Sequence, residues 1–176
     1  MADADAVRAH LFERRIVLVS GVLDDTAASE VAASLMALDA LGDEHVELRL
    51  SSVRADLSGA LVLIDVIEVL GVPVHTSGVG VLSGGAVGVL AAGARRALAP
   101  RSRLELRLPE VAVAGTAAEI SRQLAANAAA CDSFFDSLAR ACRRERTDVA
   151  AQWKVCRVLE AADACTLGYA DLVGAR

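Results

Sequence analysis

The sequence predicts a single α/β domain of repeated strand–helix units around a parallel sheet, and three observations carry that prediction. Short apolar runs alternate with longer stretches whose apolar residues recur at helical spacing. The chain has 176 residues, a length that one domain fills. Its composition is 55% apolar but only 3% aromatic, so the core is expected to be built of aliphatic side chains. A domain of this length buries roughly 70% of its unfolded surface and needs no disulfide or metal staple.

Each element follows from local pattern. Residues 1–10 read as a short N-terminal tail. Arg15 to Val19 reads as a buried strand, and Asp24 and Asp25 offer N-caps for a helix to about Leu41. Val46 to Leu50 alternates apolar and polar, which predicts a strand with one wetter face. Leu57 to Leu70 reads as a helix that Gly71 ends. Val72 to Val79 reads as a strand broken by Gly78 and Gly80, followed by a Gly/Ala helix from about Gly84 to Ala94. Arg96 to Leu98 and Arg103 to Arg107 read as short strands around Pro100. Thr116 with Glu119 has the form of a capping box, and a helix is predicted from there to about Arg144. Its apolar positions, from Ala117 and Ile120 through Leu124 to Leu138, keep helical spacing throughout. Such length suggests that it contacts a partner. Val149 to Val155 and Ala161 to Leu167 read as shorter helices. Repeated strand–helix units imply parallel strands joined by right-handed crossovers. No linker, repeat or low-complexity segment divides residues 1–176.

Charge and composition exclude several functions. Net charge is −5 with no basic stripe and few aromatics, which argues against a nucleic-acid partner. No apolar run is long enough to span a membrane, and the start MADADAVRAHLFERR lacks an apolar signal core, so a cytoplasmic protein is expected. The four cysteines, Cys131, Cys142, Cys156 and Cys165, form no C-x-x-C pair and read as buried thiols. No metal and no cofactor is expected.

The glycine-rich turn within Gly78–Gly93 is built like one that presents a nucleophile between a strand and a helix. GVGVLSGGAVGVLAAGA, Gly78–Ala94, resembles the segment of the ClpP peptidase that carries the nucleophilic serine. The rest follows in register. RRIVLVSGVLDD resembles that family's first strand and turn, LSSVRADLSGALVLIDVI its Asn-Ser-Pro-Gly-Gly segment, and SRLELRLPE the strand of the catalytic histidine. GTAAEISRQL resembles the start of its long handle helix, here about 116–144, and AADACTLGYADLV its terminal helix and strand. The resemblance covers about Leu11 to Val173 and implies the ClpP/crotonase superfold. LRLPEVAVAG has some of the character of crotonase-type enzymes, whose chains are usually longer.

The same register implies that the catalytic positions are substituted. The nucleophile position falls on Gly84, the general base on Arg107 and the orienting aspartate on Gln152. Glycine has no group to attack a carbonyl, and arginine has no acceptor lone pair. Glutamine has no charge to stabilise an imidazolium. The paired glycines of the oxyanion hole fall on Arg54 and Ala55, leaving Ala55 and Gly85 to offer backbone N–H groups. Ser83 is the alternative nucleophile, one residue early, but none of His10, His45 and His75 falls at the base position.

Arg54, Asp56, Glu105 and Arg107 should line the former site, and they are expected to pair with one another. A charged pocket for a ligand is the competing reading. Arg143, Arg144 and Arg146 read as a solvated helix end, and Trp153 as packing. The stretch Ala125 to Ala130 allows close helix approach between rings, or reflects helix propensity alone. Where the family exposes tyrosines that help to receive a Clp ATPase, this chain has Glu47 and Arg49, so ATPase docking is not expected.

The resemblance therefore implies a non-catalytic ClpP-like subunit that assembles with itself, in stacked rings or otherwise, or with active paralogues. A divergent serine peptidase using Ser83, a crotonase-like acyl-binding enzyme and a small-molecule binding module are the alternatives.

Overall fold

A computed structural model describes residues 2–108 and 114–174. Pro109 and Glu110, which close the segment matched to the histidine strand, lie outside these, as does half of the crotonase-like stretch.

The first element differs from the expected tail. Helix α1 spans Ala2–Glu13, a run rich in alanine with leucine, arginine and glutamate, which favour helix. It ends in a turn where the Arg15 N–H donates to the Phe12 carbonyl at 2.9 Å. Arg15 takes a left-handed φ of 58°, so strand β1 begins one residue later than expected, at Ile16–Leu23. Helix α2, Asp25–Leu41, starts where the sequence places it: the Asp24 carboxylate accepts from the Ala27 N–H at 2.9 Å. It buries Ala28, Ala32, Leu35 and Leu38, one stripe at helical spacing.

Strand β2, Val46–Ala55, is the hub of the sheet. It runs five residues beyond the expected end at Leu50, because Val53 and Ala55 continue its buried face past the polar Ser51–Ser52 step. Helix α3 (Leu57–Val69) leads to β3 (Val74–Val79). Gly78 lies within β3 and does not break it, since a Cβ there would approach Leu98 and Leu82 to 2.7 and 2.8 Å. A short strand the sequence did not suggest, β4 (Val81–Gly84), follows, and then α4 (Gly85–Ala91). Next come β5 (Arg95–Leu98), β6 (Arg103–Glu105), α5 (Ala117–Cys142), α6 (Arg146–Lys154), β7 (Val158–Glu160), α7 (Ala161–Thr166) and β8 (Leu172–Val173).

The strands form one sheet in the order β7-β6-β4-β2-β3-β5-β8, with β1 also on β2. Every pairing is parallel except β6 with β7. The core is largely aliphatic as expected, with Leu48, Leu50, Leu63, Ile64, Leu82 and Leu90 fully buried. Its aromatic residues gather in one place, where Phe134 and Phe135 of α5 meet Trp153 of α6 edge to face. Trp153 is packing, as its sequence context suggests.

Helix α5 is half attached. Thr116 and Glu119 close its N-terminus as a capping box, the Thr116 N–H donating to the Glu119 carboxylate at 2.8 Å. Its buried residues, Phe134, Phe135, Leu138 and Cys142, all lie in the C-terminal half. In the other half Leu124 is 51% exposed.

The last strand is tied in by Arg96. Its backbone N–H donates to the Asp171 carboxylate at 2.8 Å, and its guanidinium pairs with the same carboxylate. The guanidinium also donates to the carbonyls of Ala141 and Gly168, each at 2.9 Å. The Arg96 side-chain hydrogen bond holds the Asp171 carboxyl below its usual value of 3.8, against a smaller opposing effect of burial. A depressed pKa stabilises the folded state above the unfolded value and loses that contribution as pH falls through the folded one. Asp171→Asn should therefore flatten the fall in stability on the acid side of 3.8, as read from urea unfolding over a pH series.

Candidate functional site

The C-terminal end of β2 gathers most of the positions singled out in the sequence. Strand β4 is held between β2 and β6, with Arg54 opposite Ser83, Ala55 opposite Gly84 and Glu105 opposite Ser83. The chain then turns sharply into α4. Gly84 is both the last residue of β4 and the N-cap of α4, with φ 63° and ψ −135°. That is a strand–turn–helix elbow of the kind that lifts a nucleophile out of a sheet. Here its tip is bare. A Cβ built on Gly84 would lie 2.9 Å from the Ala55 carbonyl oxygen and 3.5 Å from that of Arg107. A Cβ on Gly85 would come within 2.5 Å of the Ala60 methyl and 2.7 Å of the Asp56 carbonyl. The neighbouring backbone has closed over the two glycines.

The sequence model of the Clp protease family matches residues 2–176. The chain belongs to that family. ATP-dependent Clp protease proteolytic subunit 1 of Nocardia farcinica is 28% identical over 106 residues, which are 58% of this chain and 54% of that one. The chain thus spans about half the length of the curated relative it matches. The curled, mostly parallel sheet flanked by helices is consistent with the ClpP fold.

Against that family background, the positions implied by the resemblance divide into two groups. Gly84, Gly85, Ala55, Ser83, Arg54, Asp56, Glu105 and the Arg107 backbone come together around the elbow. Gln152 is engaged elsewhere: its side-chain oxygen accepts from the Tyr169 hydroxyl at 3.5 Å, and that hydroxyl accepts from the Trp153 indole N–H at 3.3 Å. Burial pushes the Tyr169 phenol up to about 12, so it stays protonated as the donor to Gln152. Among the described residues, no hydrogen bond joins Gln152 to Arg107.

The mutual pairing expected of Arg54, Asp56, Glu105 and Arg107 is not found among the described residues. The reason is geometric. Arg54 and Glu105 flank Ser83 on two different strands, so their backbones stand about 10 Å apart. Arg54, Asp56 and Arg107 are exposed, where water solvates them. A second expectation also changes. Arg146 is not merely part of a solvated helix end, since it pairs with Asp132 and Asp136 of α5 and ties α6 to that helix.

Ser83 is only 8% exposed and sits mid-ladder. No histidine is placed to activate it. His10 lies on α1 beside Glu13, and His45 stacks on His75 with ring centroids 4.2 Å apart. His75 is paired with Glu47 near the start of β2, whereas Ser83 is paired with Arg54 near its end. At about 3.3 Å per residue the two are on the order of 20 Å apart.

The cysteines are four free thiols. Burial raises Cys142 to about 11 and pushes Cys131 and Cys165 upward, away from reactive thiolate. Cys156 is exposed rather than buried, because it occupies a left-handed turn, φ 48°, just after α6. No helix among the described residues is long and apolar enough to cross a membrane.

The histidine pair is the feature that sequence reading missed. Its signal was present, however: a histidine stands at the start of each of two strands, HVELRL and VHTSGV, that lie side by side once the sheet forms.

Proposed function

We propose that this chain is a catalytically degenerate member of the Clp protease family, a structural or regulatory subunit of an oligomer in the cytoplasm, without peptidase activity. The observation that carries this reading is Gly84 at the tip of the elbow, with the Ala55 backbone packed where a nucleophile's Cβ would stand. The substitutions at Arg107 and Gln152 support it, because neither side chain can perform base or orienting chemistry.

Assembly is supported by α5. A 26-residue helix whose N-terminal half is exposed, with Ile120 and Leu124 on its apolar stripe, has a face for another subunit. That subunit is a second copy of this chain or an active paralogue. Docking of a Clp ATPase is not part of the proposal. Glu47 and Arg49 form an ion pair on the strand where aromatic anchors would be needed, with Arg49 Nε 2.9 Å from the carboxylate.

The test combines two measurements on the full chain. Light scattering coupled to gel filtration should give a mass above the monomer's, and Leu124→Asp should lower that mass while leaving the fold, read by circular dichroism, unchanged. A serine-reactive fluorophosphonate should not label the protein. Labelling that disappears in Ser83→Ala would establish a divergent peptidase instead. A monomeric wild type in the presence and absence of co-expressed ClpP subunits would remove the assembly role.

A further inference from the structure

One cross-strand row of the sheet is its own complement when read backwards. It crosses five strands through Val22 on β1, Arg54 on β2, Ser83 on β4, Glu105 on β6 and Val158 on β7, each paired in register with the next. Its order is apolar, cation, small, anion, apolar. The neighbouring row shows which way it faces. Leu82, Leu104 and Leu159 stand side by side and are fully buried, so the row containing Ser83 lies on the opposite, outward side. At its two ends Val22 is 52% exposed and Val158 53%, and Arg54 is exposed beside Val22.

The charges next along the chain repeat the pattern with its signs exchanged. Asp56 stands two residues on from Arg54, and Arg107 two on from Glu105. Both are exposed, whereas Ala55 and Leu106 are buried, so the alternation of the strands continues through them. None of these four charges makes an ion pair among the described residues. Arg54 and Glu105 stand two strand spacings apart, about 10 Å, with only the small Ser83 between them. Toward the start of β4, Val81 shares the outward side with Ser83 and is 39% exposed.

A small ion would answer one of these charges and leave the rest. A partner of uniform charge would meet as many like charges as opposite ones. A second copy of the chain answers all of them. With two copies face to face about a two-fold axis along β4, β2 of one lies over β6 of the other, and β1 over β7. Arg54 then meets Glu105 of the second copy, Asp56 meets its Arg107, Val22 meets its Val158, and Val81 meets its own counterpart on the axis. We propose that this face forms a two-fold contact between two copies of the chain. The contact uses neither α5 nor a nucleophile, so it is separate from both parts of the proposed function.

The row spans four strand spacings, about 19 Å. A patch of that breadth belongs with the small, reversible interfaces, in which apolar contact supplies attraction and charge complementarity sets the register. An exposed valine at each end of the row and one on the axis supply the apolar part. Two-fold symmetry makes every off-axis contact twice, so reversing one charge places like against like at two points. The ion pairs form at the edge of solvent, and added salt should therefore weaken association.

The experiment uses the full chain carrying Leu124→Asp, so that α5 contributes no association, and reads self-association by sedimentation equilibrium. Added to this parent, Arg54→Glu and Glu105→Arg should each weaken association by about tenfold or more. Mixed together, the two variants should associate as tightly as the parent, because each supplies the charge that the other has lost. Asp56→Arg and Arg107→Asp should behave as a second such pair, which keeps the test open if a variant of the first pair fails to fold by circular dichroism. A further measurement does not depend on charge. Val81→Cys in a Cys156→Ser background should give a disulfide-linked dimer on mild oxidation with copper phenanthroline, and Val69→Cys, exposed on α3, should not. A parent that stays monomeric, a charge reversal that associates as the parent does, a mixture no tighter than its components, or the absence of a Val81→Cys dimer overturns the proposal.

Discussion

Replacing Gly84 by serine leaves the chain without peptidase activity and lowers its stability by about 2–4 kcal/mol. Two independent costs lead to that figure. The first is conformational. Gly84 holds φ 63° and ψ −135°, a region where a side chain costs on the order of 1–3 kcal/mol. The second is steric. The new Cβ would stand 2.9 Å from the Ala55 carbonyl oxygen, a backbone atom fixed by pairing with both β1 and β4. Relief requires a shift of β2 or β4, and either shift disturbs a ladder. In a domain of this size each kcal/mol moves the melting temperature by roughly 2–4 °C, so a fall of about 5–15 °C is expected. Chemistry does not return with the hydroxyl. Arg107 cannot accept its proton, and the nearest histidines lie at the far end of β2. Loss of a triad costs on the order of a millionfold in turnover, and one restored member recovers little of that. Adding Arg107→His to Gly84→Ser supplies a base but still leaves Gln152 bonded to Tyr169 and no anion behind the imidazole. Differential scanning fluorimetry and fluorophosphonate labelling read the two halves of the prediction. A serine variant that melts with the wild type and labels rapidly would show that the elbow can still accept a nucleophile and would remove the packing argument at Gly84.

The features legible in the sequence are those whose cause is local. Asp24 caps α2 because its carboxylate reaches a backbone N–H three residues on, and Thr116 with Glu119 closes α5 in the same local way. The buried stripe of α2 and the elbow between β4 and α4 were readable from spacing and from glycine. What the sequence did not disclose depends on residues distant from one another. Strand β2 extends past Leu50 because β1 and β4 pair with its second half, and no window around Ser51–Ser52 contains that information. Strand β4 is four residues between glycines and exists only because β2 and β6 flank it. The pairing expected among Arg54, Asp56, Glu105 and Arg107 failed for the same reason. Positions near one another on an inherited scaffold need not aim at one another, whereas Arg96 and Asp171, 75 residues apart, do.

Phe134→Ala should have the largest effect on stability, a loss of about 3–5 kcal/mol, and it tests what the elbow scaffold now supports. Phe134 is fully buried and lies edge to face with Trp153 at 5.2 Å and Phe135 at 5.9 Å. Its ring also fills the space that Gly88 leaves open on α4: a Cβ on Gly88 would come within 2.3 Å of Phe134 Cε2. The ring therefore fixes the attached half of α5 directly onto α4, the helix that Gly84 caps. Truncation leaves a cavity bounded by α3, α4 and α6 that a largely aliphatic core cannot collapse to fill. A drop in melting temperature of roughly 10 °C or more is expected, measured by calorimetry. The comparison with Leu124→Asp then separates two roles of one helix. Leu124 is half exposed on the unattached half of α5, so its substitution should change the assembled mass and leave the monomer's melting temperature alone. Phe134→Ala should lower both, because the exposed half projects only while its base is fixed. If Phe134→Ala destabilised the domain yet left the assembled mass unchanged at a temperature where it remains folded, the assembly face would not be on α5. If both variants behave as expected, α4 serves as the mounting surface for α5, and the close packing at Gly84 and Gly88 has a structural role in assembly.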